Sequence, residues 1–404
     1  MEPRQRATKI LAICRGDPAD RSGAGERQRL ALGVLRQIGD VTVVALTKSV
    51  DTIGASDASP QTIRTVPLVG RRVHPLDYFA ALVRWRPRVL AAARLHTQRR
   101  LIEAATAPNT YDLVWAYTDR VVLSLPRSLR SVPLVADLVD FEGKRNLDAA
   151  RSRGRWGVTH RANVDQRALR CVLRRIRSCA QLTLISSELD RTRLGLSGVD
   201  VLPNSYKRFG EPRAAEGRPR SPTFLFAGRL SYGPNRSAAD WLVDEIWPQI
   251  RRRLPGAELR IVGRGLPTGA YDGVDGVSVL GEIESMRPEL VRATAALVPL
   301  KLGCGTRIKI IEAWAYGVPV VSTNLGAEGL GAKDHEHLLL ADDAESFAAA
   351  AVRLHDDSAI AQRLILGGLE LFERTYSAVV VEQEYLALLG KLRVIQNSPN
   401  GSNC

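Results

Sequence analysis

The chain has 404 residues, 45% hydrophobic and 25% charged, close to globular averages, which argues against wholesale disorder or fibrous architecture and makes two domains of ~150 residues or more the default. Lys and Arg number 57 against 43 Asp and Glu, a formal net charge of +14, which biases the surface towards phosphates, anionic lipid or acidic substrates without choosing among them. The 5 cysteines, Cys14, Cys171, Cys179, Cys304 and Cys404, are scattered and odd in number with no CxxC pair, which argues against a disulfide framework or a zinc site and fits a reducing cytoplasm.

In chain order, Met1 to Arg6 runs straight into the strand-like Lys9 to Ile13, which leaves no room for a signal h-region and predicts against secretion. No apolar run approaches the ~18 residues of a spanning helix, so any membrane contact is expected to be peripheral. Strands are predicted at Lys9 to Cys14, Val41 to Leu46, Leu113 to Ala116, Leu134 to Leu138 and Leu182 to Ile185, with a helix at Glu26 to Gln37. Strands alternating with helices predict a doubly wound lobe with a mostly parallel sheet. The pattern stops near Val201-Leu202-Pro203-Asn204, and the Arg-, Pro-, Gly- and Glu-rich stretch to Pro222 reads as an exposed connection.

A second series follows: Thr223 to Gly228, Glu258 to Gly263, Val277 to Gly281, Ala295 to Pro299 and Val318 to Ser322. Two or three helices are predicted between Ala344 and Arg393. The expected fold is therefore α/β, with two Rossmann-like doubly wound parallel-sheet domains facing an interdomain cleft, where ligands of such sheets bind. The boundaries are an N-terminal Rossmann-like domain at 1–205, a linker at 206–222, a C-terminal Rossmann-like domain at 223–375, a helix at 376–396 packing back towards the first domain, and a tail at 397–404.

The most informative segment runs from Val298 to Ser322. A strand ends at Leu300, a turn carries Gly303, Cys304, Gly305 and Thr306, and a helix is expected from about Thr306 to Gly317. Glycines let backbone N–H groups approach a ligand, and a helix N-terminus offers unpaired donors to phosphate or sugar oxygens. Arg307 and Lys309 place cations in the first turn, against the helix dipole, at a cost of a few tenths to ~1 kcal/mol each that an anionic ligand offsets; a solvated basic turn is the plainer reading. Glu312, among apolar neighbours, can accept from vicinal ribose hydroxyls or pair with Arg307 or Lys309.

The sequence Gly-x-Gly-Thr-Arg-Ile-Lys-x-x-Glu-Ala-x-Ala-x-Gly-x-Pro-Val-Val-Ser-Thr, followed by Gly326-Ala327-Glu328-Gly329-Leu330, resembles the donor signature of the retaining glycosyltransferases of family 4. Phe226-Ala227-Gly228-Arg229-Leu230 with Pro234-Asn235, Ile261-Val262-Gly263, Val201-Leu202-Pro203-Asn204 and Glu373-Arg374-Thr375-Tyr376-Ser377 extend the resemblance over nearly the whole chain. It is closest to sugar transferases of exopolysaccharide and surface-glycan synthesis.

The resemblance implies the GT-B fold, with the acceptor held mainly by the N-terminal domain and the nucleotide sugar mainly by the C-terminal one, and transfer of a sugar, with retention, from a nucleoside-diphosphate sugar to a glycan or lipid-linked hydroxyl acceptor. It implies that Glu312 meets the ribose, that Arg229 faces the diphosphate, and that Gly23 and Gly25 close over the donor, although a tight turn explains those glycines equally. The lysine common after the arginine is absent from Ser231-Tyr232-Gly233-Pro234-Asn235, and Lys309 is expected to substitute for it. Cys304 stands eight residues before Glu312, where the family carries an acid.

Asp137 and Asp140, at a strand's carboxyl end, are candidates to orient or act on the acceptor, or to cap the next segment. His74, His96, His160, His335, His337 and His355 form no metal-spaced pair, so neither metal nor cofactor is expected. The basic stretches Arg64 to Arg100 and Lys144 to Arg177 lack nucleic-acid motifs and are read as a solvated face or as a peripheral dock on anionic lipid. Two rival functions remain, a nucleotide-sugar epimerase of the same fold and a noncatalytic donor-binding subunit.

Overall fold

The computed structural model describes residues 7–20, 23–47, 63–67, 95–138, 171–195, 197–212, 222–267, 269–303 and 307–392. They divide into two units: residues up to Pro203 together with the chain from Val381, and Asn204–Val380.

The first unit begins with β1 (Lys9–Arg15), α1 (Gly23–Ile38), β2 (Asp40–Thr47), β3 (Ile63–Pro67), α2 (Leu95–Thr106), β4 (Leu113–Tyr117) and α3 (Asp119–Ser124). It continues with β5 (Leu134–Asp137), a helical stretch at 171–179, β6 (Leu182–Ile185), α4 (Glu188–Leu194) and β7 (Asp200–Val201). Among the described residues its sheet has the order β3-β2-β1-β4-β5-β6-β7, and every recorded pairing is parallel. Ile10, Leu11, Ala12, Ile13 and Cys14 are fully buried, as expected of an apolar strand covered on both faces. Helix α1 buries Leu30, Ala31, Val34 and Leu35 at helical spacing, with Glu26 in its first turn and Arg36 in its last, both complementing the dipole.

The second unit contains β8 (Thr223–Ala227), α5 (Gly233–Trp241), a π-helical turn at Leu242–Ile246, α6 (Trp247–Arg253), β9 (Glu258–Val262), β10 (Val277–Gly281), α7 (Arg287–Arg292) and β11 (Ala295–Val298). Then come α8 (Ile308–Ala315), β12 (Val320–Ser322), β13 (Leu339–Leu340), α9 (Ala344–Asp356), α10 (Ser358–Leu371), a π-helical turn at Phe372–Tyr376 and α11 (Ala378–Gly390). Its sheet runs β10-β9-β8-β11-β12-β13, again with parallel pairings. The core packs Phe224, Phe226, Trp247, Trp314 and Phe347, all nearly fully buried, between sheet and helices. Asp343 and Asp357 cap α9 and α10 by accepting from Ser346 N, and from Ala359 N and Ile360 N.

Both sheets thus show the Rossmann order, with the strand order reversing between β1 and β4 and between β8 and β11. Ligands of such sheets bind beyond the carboxyl ends of the strands at that point. No helix among the described residues is long and apolar enough to cross a membrane.

Two expectations change. The residues from Tyr206, read as the start of an exposed linker, pack on the second unit as far as Phe209: Tyr206 forms a parallel bridge with Ser377, its ring meets Tyr316 edge-on at 6.1 Å, and Arg208 pairs with Glu373 at 2.6 Å. An aromatic ring inside a polar stretch finds apolar cover, and the backbone follows it. The C-terminal helix starts at Ala378 rather than 376, and the chain from Val381 groups with the first unit.

Candidate functional site

Three loops meet beyond β8 and β11. The first leaves β8 through Gly228 and Arg229, the second leaves β9 through Gly263, and the third runs from β11 towards α8. Gly228 N donates to Val262 O at 3.0 Å and Leu230 N to Arg264 O at 2.8 Å, tying the first two. Gly263 has φ +136, and a Cβ there would stand 1.9 Å from Gly228 O; only glycine permits this approach. Gly303, at φ +112, would place a Cβ 3.3 Å from Pro234, so the third loop lies against the start of α5, whose first turn carries that proline.

Lys309 stands where these loops converge. Its Nζ donates to Asn235 Oδ1 at 2.9 Å, lies 4.6 Å from the centre of the Phe226 ring, and would be 2.9 Å from a Cβ on Gly228. Asn235 Nδ2 in turn donates to Arg229 O at 3.0 Å, so one asparagine joins the lysine to the backbone of the β8 loop. Burial, and then the nearby Arg307 guanidinium, lower the Lys309 ammonium from its ordinary 10.5 to about 7, against the opposing pull of Glu312. The Arg229 side chain is exposed.

Glu312 lies three residues after Lys309, on the same face of α8. Both line a small recess walled by Leu225, Ala227, Met286, Leu290 and Val298. Glu312 Oε1 accepts from the Tyr206 hydroxyl at 3.0 Å. Burial, followed by the Glu312 carboxylate, pushes that hydroxyl far above the usual phenol range.

The expected site residues fall as follows. Lys309, Glu312, Gly303 and the backbone of Arg229 come together at the carboxyl ends of β8 and β11. Arg307 was expected in the first helical turn; the helix instead begins at Ile308, and Arg307 precedes it with φ −86, ψ 86, buried and accepting on its carbonyl from Ile310 N at 2.9 Å. Cys304, Gly305, Thr306 and Asp140 lie outside the described residues, as do most of the two basic stretches. Arg174, Arg175 and Arg177 are described and exposed on the helical stretch 171–179.

Asp137 ends β5 as expected, but it does not present a free carboxylate. It is 0% exposed and accepts from Arg27 Nε at 2.9 and 3.1 Å, because a charge buried beneath the strand ends requires a partner. Gly25 lies in α1 with an ideal Cβ position 1.7 Å from Asp20 O, so a side chain there would meet the backbone of the preceding turn; Gly23 is the first residue of the helix. Two contributions were missed from sequence: Tyr206, which carried no signal beyond being one aromatic in a polar segment, and the bridging by Asn235. No group of three or more His, Cys, Asp or Glu side chains able to hold a metal ion occurs among the described residues.

Residues 221–357 match the family described as Glycosyl transferases group 1. A phosphatidyl-myo-inositol mannosyltransferase of Mycobacterium leprae is 30% identical over 193 residues, 46% of this chain and 49% of that protein. The chain thus spans about half the length of this curated relative. The sucrose-phosphate synthase of Thermosynechococcus elongatus superposes with a TM-score of 0.70 at 18% identity, covering 95% of this chain and 98% of that one. Anabaena HepE, solved in complex with UDP-glucose, superposes with a TM-score of 0.59 at 15% identity, covering 95% and 100%. At such identities the likeness speaks for the fold. Residues 221–357 thus resemble the glycosyl transferases group 1 family, and the two Rossmann-ordered sheets of the chain are those of the GT-B fold.

Proposed function

We propose that the protein transfers a sugar from a nucleoside-diphosphate sugar to a hydroxyl acceptor, a glycan or lipid-linked glycan, with retention of anomeric configuration. The observation that carries this reading is the pairing on one face of α8 of an ammonium, Lys309, and a carboxylate, Glu312, both opening on the recess where the strand order reverses. The donor has complementary parts: a diphosphate for the cation and a ribose diol for the carboxylate.

Breaking the bond from the sugar to the diphosphate leaves negative charge on the departing group. Lys309, held by Asn235, is placed to meet that charge, and Arg229 on the loop after β8 supplies a second cation. This assignment gives leaving-group stabilisation to the protein and asks for no metal. The mannosyltransferase relative and the UDP-glucose complex of HepE support a nucleotide-sugar donor. For the lipid-facing side of the reading, the net charge of +14 favours docking on anionic membrane.

Cys304, in the place of the usual acid, favours a second reading as a noncatalytic donor-binding subunit. Thermal shift with UDP-, GDP- and ADP-sugars on wild type and Glu312→Ala tests the first step: one class of donor should stabilise wild type and the effect should be lost in the variant. Stabilisation by none of them would remove the donor reading. Product formation with a glycan acceptor separates a transferase from the binding subunit, and turnover of donor without acceptor would indicate an epimerase.

A further inference from the structure

The carboxylate assigned above to the ribose does not stand alone. Tyr206 lies before the stretch that matches the glycosyl transferases group 1 family, two residues after the chain enters the second unit at Asn204. Its hydroxyl donates to Glu312 Oε1 at 3.0 Å. The backbone around it is fixed at several points. Tyr206 N donates to Tyr376 O at 2.9 Å, and Tyr206 O accepts from Ala378 N at 3.2 Å. Its ring packs edge-on against Tyr316, and Tyr316 exchanges hydrogen bonds with the Phe209 backbone, accepting at 3.2 Å and donating at 3.3 Å. Arg208 donates to Ala315 O, at the carboxyl end of α8, at 3.3 Å. The segment that carries the phenol is therefore clamped to the helix that carries the carboxylate.

We propose that Tyr206 is a positioning residue for nucleotide binding, whose hydroxyl fixes the Glu312 carboxylate in the orientation that receives the ribose hydroxyls of a nucleoside diphosphate. The proposal rests on the reading of Glu312 given above. A glutamate has three rotatable side-chain bonds and loses much freedom when a ligand orders it; a donor already in place removes part of that cost before the ligand arrives. The choice of donor matters. A neutral hydroxyl takes about one of the carboxylate's roughly four lone-pair directions and adds no charge of its own. With its titration displaced far upwards, the phenol remains a donor throughout the neutral range.

The test is calorimetric binding of UDP, GDP and ADP, and of their 2′-deoxy counterparts, to wild type, Tyr206→Phe and Glu312→Gln. Phenylalanine keeps the ring contact with Tyr316 and removes only the donor. Tyr206→Phe should weaken the preferred ribonucleotide about fivefold to tenfold while changing its 2′-deoxy counterpart less than about twofold, so that the preference for ribose shrinks. Equal losses for both sugars, or no loss where Glu312→Gln loses ribose preference, would overturn the role of Tyr206 and leave that of Glu312 standing. Undiminished ribose preference in Glu312→Gln, or no binding of any of the three to wild type, would overturn both.

Discussion

Lys309 is the residue at which charge and chemistry meet most directly. With its ammonium at about 7, the side chain is charged below neutrality and loses its charge as pH rises. A diphosphate favours the charged form, so affinity should be full below pH ~7 and fall above it by up to tenfold per pH unit, until the raised pKa of the complex is passed. Stability of the free protein carries the opposite sign: the folded pKa lies below the ordinary 10.5, the unfolded chain holds the proton more tightly, and this residue's contribution grows from about pH 7 upwards. Titration calorimetry from pH 6.5 to 8.5 should show the slope for a nucleoside diphosphate in wild type and a flat profile in Lys309→Met. Lys309→Ala should weaken the diphosphate more than the nucleoside, and equal losses would refute the assignment. The spacing of Lys309 and Glu312 was legible in the sequence because both sit on one helix face, where local periodicity fixes geometry. The partners Tyr206 and Asn235 were not, since each reaches its bond across 106 or 74 residues of chain.

At the scale of elements, the junction of β8 and β9 sets how closely the site's loops can approach. Gly263→Ala imposes a left-handed conformation on an alanine and drives its Cβ into Gly228 O, an ideal separation of 1.9 Å. Strain and overpacking of this kind each cost about 1–3 kcal/mol, so urea unfolding should register a loss of about 2–5 kcal/mol. Gly256→Ala, where nothing lies within 4 Å of the new Cβ, should change stability by less than about 1 kcal/mol. A loss in Gly263→Ala no larger than in the control would show that the loops have room to part. Most long strands were readable from unbroken apolar runs ending in glycine or polar residues. Three were not: β7 and β13 have two residues each, and β3, Ile-Arg-Thr-Val-Pro, interrupts its apolar pattern with an arginine and a proline, as an edge strand tolerates. The π-helical turns at Leu242–Ile246 and Phe372–Tyr376 have residues that read as ordinary helix, so only the packing distinguishes them.

For the whole molecule the telling feature is that the first unit is built from two separate stretches of chain, residues up to Pro203 and residues from Val381. Arg27 of α1 donates to Asp137, to Leu202 O at 2.8 Å and to Pro203 O at 3.2 Å, joining the first helix to β5 and to the last residues before the chain enters the second unit. Burial lowers the Arg27 guanidinium and the Asp137 carboxylate outweighs it, leaving the group above its ordinary value. Tyr385, fully buried on α11, lies within the field of the same pair: burial first, then Asp137, displaces its hydroxyl well upwards. Sequence alone read Asp137 as a candidate for acceptor chemistry because its place at a strand end was visible and its partner, 110 residues away, was not. Asp137→Ala strands a buried cation and should cost about 3–5 kcal/mol, whereas Arg27→Met with Asp137→Leu should recover most of it, since apolar replacement of a buried pair is often close to neutral. The loss should also be regional. Hydrogen exchange under mild denaturant should follow β1, β4 and residues 381–390 opening together and earlier in Asp137→Ala, while β8, β11 and α8 keep their wild-type protection. If residues 381–390 opened instead with the second unit, that part of α11 would be no part of the first unit's cooperative fold, and the assembly of that unit from two stretches of chain would be refuted.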